Sequence, residues 1–252
     1  MVTLLLLTVT TLIEYRLQVS AIKQTASEKL TAIRDLKIGQ INAWVLERRR
    51  DLHTLAQDFD ADYTPGQTAL PHAKEPGAGA RQLRKRFERY LEAYAAYDEI
   101  FFIDAHSRRI VISTDRLAEG TLIADLPYFT EPLLRHDIYV DDIRPAKPSM
   151  QPTLILSVAI WTDAAPPSVL GVLGLRINLA DSLYPILRDR TGMGTSGESL
   201  IVDERGMALS ELLWRPQAPL RLTLDAQPAQ LAAHGAAGAI EALDYAGRPV
   251  LA

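Results

Sequence analysis

The feature that most restricts the fold is a stretch of about forty residues with helical periodicity and no proline. From Val19 to Phe59, apolar side chains recur at steps of three and four residues, the spacing of one face of an α-helix. Gly39 is its one weak helix former. At 1.5 Å per residue this helix is roughly 60 Å long, far beyond an ordinary globular helix. Residues 19–59 are therefore predicted to form a stalk helix, and the same apolar face also suits a coiled-coil dimer.

An apolar, uncharged run precedes this helix and covers residues 1–13, after which Glu14 and Arg16 end it. It is shorter than the ~20 residues that a bilayer requires. We interpret residues 1–18 as the end of a transmembrane helix. Two alternatives remain: a signal peptide, with a weak cleavage-like sequence at Val19–Ala21, and a buried helix of a soluble protein.

Composition excludes several classes of function. The formal net charge is −4 with no basic block, which argues against nucleic acid as a partner. The chain has no cysteine, so disulfides, thiol catalysis and zinc–thiolate sites are excluded. Because 48% of the residues are hydrophobic, a packed core is expected.

After the stalk the pattern predicts a mixture of helices and strands. Residues 60–80 are rich in Pro, Gly and Ala and predict a loop, and Leu83–Tyr94 predicts a second amphipathic helix. Residues 99–114 predict a β-hairpin, because two apolar runs flank a polar turn near His106–Arg108. Asp125 is placed to cap a short helix that carries Pro127 in its first turn. Three strands and a further helix follow, predicted at residues 138–143, 153–161, 169–177 and 181–190.

A glycine-rich stretch contains Gly192, Gly194 and Gly197, which together match the G-x-G-x-x-G pattern of dinucleotide-binding proteins. That pattern works only where a strand enters it and a helix leaves it. Here a predicted helix enters and a predicted strand leaves. The glycines therefore predict a helix stop followed by a turn, and nucleotide binding is not expected.

A repeat is more informative than this pattern. Residues 99–113 and 198–210 each contain a Glu, a four-residue apolar strand, an Asp, a polar turn, a second strand and a Ser. Asp104 and Asp203 stand at the turn entries, where an Asp side chain accepts hydrogen bonds from nearby backbone. A glycine-led strand returns later in each half, from Gly171 and Gly238. Two similar α+β units in tandem are predicted, with chance similarity of two hairpins as the alternative.

The long helix is followed by an ordered set of segments: "YDEIFFIDAHSRRIVIST", "LPYF", "YVDDI", "LILSVAI", "GVLGLRINL" and "GMGTSGESLIVDERGMALS". This order resembles the double Cache sensor domain of bacterial transmembrane receptors. The resemblance implies an α+β fold with a long N-terminal stalk helix that carries two tandem PAS-like (Cache) antiparallel-sheet units. It assigns residues 81–190 to the membrane-distal unit and residues 191–252 to the membrane-proximal unit. Because Cache units close with further strands, the second unit is expected to be incomplete and the chain to be a fragment of a histidine kinase, diguanylate cyclase or chemoreceptor.

An enzymatic constellation is not found in the sequence. The five histidines are scattered without metal-ligand spacing, and no G-x-S-x-G motif occurs. Asp141 and Asp142 are adjacent on a predicted strand, so their carboxylates should point to opposite faces. No catalytic residue, metal or cofactor is expected in this segment.

A candidate ligand pocket follows from strand alternation and from the resemblance. Gly174 and Arg176 share a face of one strand, where Gly174 is expected to leave room for a ligand. The alternatives are core packing for the aromatic residues, a solvated strand end for Asp141, and an exposed strand end or an ion pair with Asp141 for Arg176. The candidate ligand-binding residues are Tyr128, Phe129, Tyr139, Asp141 and Arg176.

The resemblance also implies a function. The amino-acid-binding members place an Arg and an Asp where this chain has Leu126 and Arg176, so free α-amino acids are expected to bind poorly and a small organic acid is favoured. The chain is predicted to be a periplasmic sensing domain on the inner membrane, held there by its N-terminal helix. The stalk face with Ile22, Ala26, Leu30 and Ile33 is expected to meet either the membrane-proximal sheet or the same helix of a second copy, and a homodimer suits such a receptor. The alternatives are a ligand-free dimerisation module and a secreted binding protein or hydrolase.

Overall fold

The computed structural model describes residues 2–59, 78–123, 125–146, 150–162 and 165–252. The chain forms two compact units. Residues Ile41–Ile186 make up one, called the sheet unit below, and Met1–Gln40 together with Leu187–Ala252 make up the other, called the terminal unit. Most of the loop predicted at residues 60–80 lies outside the described residues. The predicted boundaries of the membrane-distal and membrane-proximal units remain a prediction.

The predicted stalk is a single helix, α1, which spans Val2–Phe59 and so also includes the apolar N-terminal run. Its last turns carry the side chains that the periodicity marks as internal, since Trp44, Leu52, Leu55 and Phe59 are all buried. Among the residues that the structure describes, no helix has a segment both long and apolar enough to cross a membrane.

The sheet unit contains most of the regular structure. Helix α2 spans Ala78–Ala93 and is the predicted second amphipathic helix. The elements that follow are β1 (Tyr97–Asp104), β2 (Ile110–Ser113), α3 (Pro127–Arg135), β3 (Tyr139–Val140), β4 (Arg144–Ala146), β5 (Gln151–Trp161), β6 (Val169–Asn178) and α4 (Leu179–Ser182).

These strands form one antiparallel sheet. Its order is β2-β1-β6-β5-β3, and β4 also pairs with β5. The predicted hairpin at residues 99–114 is confirmed, because β1 and β2 pair with Phe101 opposite Ser113. The two long strands β5 and β6 pair along nearly their whole length.

One face of the sheet packs against the helices α1 and α2. The ring of Phe59 lies with its centroid 4.4 Å from that of Phe102 on β1 and 6.4 Å from that of Phe87 on α2. All three rings are fully buried. Side chains alternate between faces along a strand, so the neighbours of Phe102 on β1, Phe101 and Ile103, point to the other face.

Helix α3 forms where it is predicted, but its capping residue is different. The N-cap is Leu126, which makes no side-chain capping bond, and Pro127 occupies the first turn. Asp125 instead pairs with Arg108 at 3.4 Å. The prediction that Asp125 caps this helix was wrong, because the chain enters the helix one residue later and proline already fixes its first φ angle.

The terminal unit contains less regular structure. After α5 (Tyr184–Arg188) come α6 (Gln227–Ala233) and a two-stranded sheet of β7 (Glu241–Leu243) and β8 (Pro249–Leu251). The second copy of the predicted repeat turns back as a hairpin, but its strands are limited to isolated bridges such as Val202 with Ala208. The Asp203 carboxylate accepts hydrogen bonds from the backbone N–H groups of Arg205 and Met207, the role expected of an Asp at the turn entry.

The glycine-rich stretch is a turn after α5, as the sequence indicates. Gly192 and Gly194 have φ angles of +82° and +70°, which glycine adopts without strain. The Arg190 guanidinium donates to the carbonyl of Gly197 at 2.8 Å and closes the turn. The residues after the turn form no regular strand, so the strand predicted there is reduced to bridges.

Gly174 and Gly39 offer a matched pair of substitutions. A Cβ at Gly174 would lie 2.3 Å from the ring of Phe101, whereas a Cβ at Gly39 would meet nothing within 4 Å. Gly174→Ala is expected to lower the free energy of unfolding by about 1–3 kcal/mol through overpacking. Gly39→Ala is expected to raise it by about 0.5–1 kcal/mol, because alanine is the better helix former. Urea unfolding measures both, and equal effects of the two substitutions would contradict the placement of the Phe101 ring.

Candidate ligand-binding site

The candidate site is on the sheet face opposite to α1 and α2. Arg176 on β6 pairs directly with Glu99 on β1, and Gly174 pairs with Phe101. On the other side of β6, Ser157 of β5 stands opposite Gly174, and Tyr139 of β3 stands opposite Ser157. Residues directly opposite each other in an antiparallel sheet share a face. The register therefore brings Glu99, Arg176, Ser157 and Tyr139 to one surface.

Helix α3 packs on this surface through its aromatic residues. Phe129 is buried in a cluster with Phe101, Ile155 and Val172, so core packing accounts for it. Tyr128, the preceding residue, is partly buried against the same cluster, and its ring meets Phe101 edge-on with centroids 6.0 Å apart. Tyr128 therefore stands between the apolar cluster and the polar groups of the sheet.

Arg176 has a partner that the sequence did not reveal. Its Nε donates to Oε2 of Glu99 at 2.8 Å. The other carboxylate oxygen of Glu99 accepts from the hydroxyl of Ser113 at 2.6 Å. The Glu99 side chain is 5% exposed, whereas that of Arg176 is 24% exposed. The predicted alternative of an ion pair between Arg176 and Asp141 was wrong, because the β1–β6 register puts Glu99 directly opposite Arg176.

Asp141 forms a separate ion pair. Its Oδ1 lies 3.1 Å from Nη2 of Arg144 and 3.5 Å from the Tyr139 hydroxyl. The side chain of Asp141 is 2% exposed, whereas that of Asp142 is 87% exposed. The two carboxylates thus face different environments, as strand alternation predicts, and Asp141 is the one inside the protein.

The two ion pairs converge on Tyr128. Burial is the main cause that raises the pKa of Tyr128 to about 12. The charges that act on its phenol are those of Arg176 and Arg144, which lower the pKa, and those of Glu99 and Asp141, which raise it. The phenol therefore stays protonated at physiological pH and can donate or accept a hydrogen bond beside four charged groups.

One expectation about the pocket changes. The space over Gly174 is filled by the ring of Phe101, so this glycine makes room for an aromatic side chain and not for a ligand. Arg176 and Tyr128 are instead partly exposed side chains on this surface. Glu99 was missed because the sequence shows it only as the first residue of the repeated hairpin, and its partner is 77 residues away.

Asp141 gives the site a predictable pH dependence. Burial raises its pKa above the ordinary 3.8, and the Arg144 guanidinium opposes this only in part. The folded protein therefore binds a proton at the Asp141 carboxyl group more tightly than the unfolded chain does. The stabilisation of the folded state by the protonated Asp141 carboxyl is complete below pH 3.8 and is lost as pH rises through the raised pKa of Asp141. Wild type should lose stability relative to Asp141→Asn across this window, measured by urea unfolding.

Asp203→Asn is the control with the opposite sign. Burial acts to raise the pKa of Asp203, but the hydrogen bonds from Met207 and Arg205 outweigh it and hold this pKa below 3.8. The stabilisation by Asp203 is complete above pH 3.8 and is lost as pH falls through the lowered pKa. Parallel pH dependences of the two variants would contradict the environment described for Asp141.

Comparison with known proteins identifies the architecture. No family model matches the sequence, and no curated protein is significantly similar to it. Solved structures do match. The ligand-binding domain of the Pseudomonas aeruginosa amino acid chemoreceptor PctC, in complex with GABA, is 18% identical with a TM-score of 0.62, and the match covers 90% of each chain. The fold is that of a double Cache sensor domain.

Two further structures have this double Cache fold in common with the chain. The sensory domain of the Campylobacter jejuni chemoreceptor Tlp3 is 15% identical with a TM-score of 0.61, covering 88% of this chain and 86% of that one. The sensor domain of the V. cholerae histidine kinase DctB is 18% identical with a TM-score of 0.60, covering 83% and 74%. All three are described as sensor, sensory or ligand-binding domains.

The described residues contain no group of three or more His, Asp or Glu side chains that could hold a metal ion. The charged groups at Tyr128 are arranged as two ion pairs, which suits hydrogen bonding to a small polar molecule.

Proposed function

We propose that the chain is the extracytoplasmic sensing domain of a membrane receptor, and that its ligand is a small organic acid. The observation that carries this proposal is that Arg176 is held by an ion pair and is still partly exposed. Glu99 holds the guanidinium through Nε, while a quarter of the side chain remains exposed beside Tyr128. A guanidinium fixed in this way keeps donors available for a carboxylate, which it binds in a bidentate manner.

The sheet surface supplies a second argument for a ligand. The hydroxyl of Ser157 is buried and has no hydrogen-bond partner among the described residues. Buried polar groups are nearly always hydrogen-bonded, so such an atom calls for an explanation. Ser157 stands opposite both Gly174 and Tyr139 in the sheet. A polar group of a ligand bound between Tyr139 and Arg176 would provide the missing partner.

The comparison structures bear on the class of ligand. The PctC domain is in complex with GABA, and a second structure of the Tlp3 sensory domain has isoleucine bound; each of these ligands carries a carboxylate and an amino group. The expectation that amino acids bind poorly rested on like-charge repulsion by Arg176. Glu99 balances that charge, so this repulsion no longer excludes an amino group. The proposed ligand class is therefore organic acids, with or without an amino group.

A thermal-shift screen tests the proposal. A compound that binds only the folded state raises the unfolding midpoint by mass action. We expect the compounds that raise the midpoint to be carboxylates of metabolite size, with binding confirmed by calorimetry. Their affinity should fall at least tenfold in Arg144→Ala or Tyr128→Phe. Arg116→Ala, a cation in the turn after β2, serves as the control. If a broad library shifts nothing, a ligand-free dimerisation module is the better description.

We further propose that α1 attaches the domain to the membrane and pairs with a second copy. Leu6, Leu7, Val9, Leu12 and Ile13 are exposed on its first turns, as a segment surrounded by lipid would require. Ile22 is exposed as well. Because the chain has no cysteine, Ile22→Cys should cross-link in membranes, and Gln24→Cys, about 200° around the helix, should not. The absence of cross-links at Ile22, Ala26, Leu30 and Ile33 would contradict the dimer.

A further inference from the structure

The cations of the candidate site are already balanced by carboxylates. Arg176 is paired with Glu99, and Arg144 is paired with Asp141. The formal charges of these four groups around Tyr128 therefore sum to zero. Asp98, which is exposed on β1, adds a further carboxylate close by, and the charge of Arg176 acts to lower the pKa of Asp98. The site therefore has no net positive charge with which to attract a ligand that carries two negative charges.

Glu99 cannot turn away to make room for an anion. Its two oxygens are held by Arg176 and by the Ser113 hydroxyl. Ser113 is itself fixed, because its backbone N–H donates to Glu119 at 3.0 Å and its hydroxyl accepts from the backbone N–H of Asp115 at 2.9 Å. Glu119 in turn pairs with the buried Arg84 of α2. The Glu99 carboxylate is thus held in a fixed position in the site.

From this arrangement we propose that Glu99 determines specificity by restricting the site to ligands with no more than one net negative charge. The inference rests on the proposed ligand-binding function and names the charge class of the ligand. A carboxylate bound to the free nitrogens of Arg176 lies within a few ångströms of the Glu99 carboxylate. In a half-buried site such like charges repel each other strongly, and a second ligand carboxylate doubles the repulsion.

Three probes of equal chain length separate charge from size. GABA, butyrate and succinate each have four carbons and carry net charges of zero, minus one and minus two at neutral pH. Their affinities are measured by calorimetry at pH 7.5 for wild type and for Glu99→Gln. Glutamine keeps the shape of the side chain: its amide oxygen can accept from Arg176 Nε, and its amide N–H group can donate to the Ser113 hydroxyl in place of the hydrogen bond that Glu99 accepts there. Far-UV circular dichroism and thermal unfolding verify that the variant is folded.

We expect wild type to bind succinate more weakly than the other two probes. Glu99→Gln should bind butyrate about tenfold more tightly than wild type does and succinate about a hundredfold, with no gain for GABA. Glu204→Gln, which removes the same charge from an exposed turn of the terminal unit, should change none of these affinities. The double variant Glu99→Gln/Arg176→Met should lose the gain for succinate, because the gain requires Arg176.

The outcomes separate this inference from the proposed function. If wild type binds GABA or butyrate and Glu99→Gln gains nothing for succinate, the sensing function stands and the role of Glu99 is refuted. If wild type binds none of the probes but Glu99→Gln gains succinate binding, the role of Glu99 stands and the proposed ligand class fails. If succinate binds neither protein, the role of Glu99 is refuted as well.

Discussion

Arg176→Met should lower the free energy of unfolding by about 3 kcal/mol, because it leaves the Glu99 carboxylate buried without its cation. The methionine fills similar volume, so the loss reports the charge and not a cavity. The affinity of this variant for any carboxylate ligand found in the thermal-shift screen should be at least a hundredfold lower than that of wild type. Urea unfolding and calorimetry measure the two effects.

The control for Arg176→Met is the double variant with Glu99→Gln. When both charges are removed, no unpaired ion remains, and most of the lost stability should return. Ligand binding should not return, because the donors of Arg176 are still missing. A double variant as unstable as the single one would show that Arg176 stabilises the sheet through packing of its aliphatic stem.

Phe59→Ala is expected to lower the free energy of unfolding by about 3–5 kcal/mol. Phe59 is the last residue of α1, is fully buried, and packs against Phe102 of β1 and Phe87 of α2. Its truncation opens a cavity where two helices and the sheet meet. Leu117→Ala, at a side chain that is 93% exposed, should change stability by less than about 0.5 kcal/mol. A small effect of Phe59→Ala would mean that the end of α1 is not part of the core.

The sequence predicts those parts of the fold that local rules determine. The stalk follows from a 3.6-residue period without proline, and the first hairpin follows from two apolar runs on either side of a polar turn. Asp104 and Asp203 were recognised at turn entries because an Asp side chain bonds to backbone only a few residues away. Each of these signals lies within a few turns of helix or one pair of strands.

Contacts between distant residues were not predictable in the same way. Alternation puts Arg176 on one face of β6 but does not tell which residue of which strand stands opposite. The β1–β6 register decides that the partner is Glu99 and that Gly174 meets Phe101. A register shift of one residue would exchange every partner. Glu99 and Arg176 are 77 residues apart in sequence, so no local pattern contains this information.

The polar contacts that run from Arg84 through Glu119, Ser113 and Glu99 to Arg176 have a consequence for how the chain tolerates variation. Each contact in this series is lost when either of its two residues is replaced. Loss of any one leaves a buried charge or hydroxyl without its partner, whereas a coordinated exchange of several members leaves none. The effects of substitutions at these positions are therefore strongly non-additive. A substitution at one of these five positions is therefore expected to be tolerated best together with a compensating substitution at the residue it contacts.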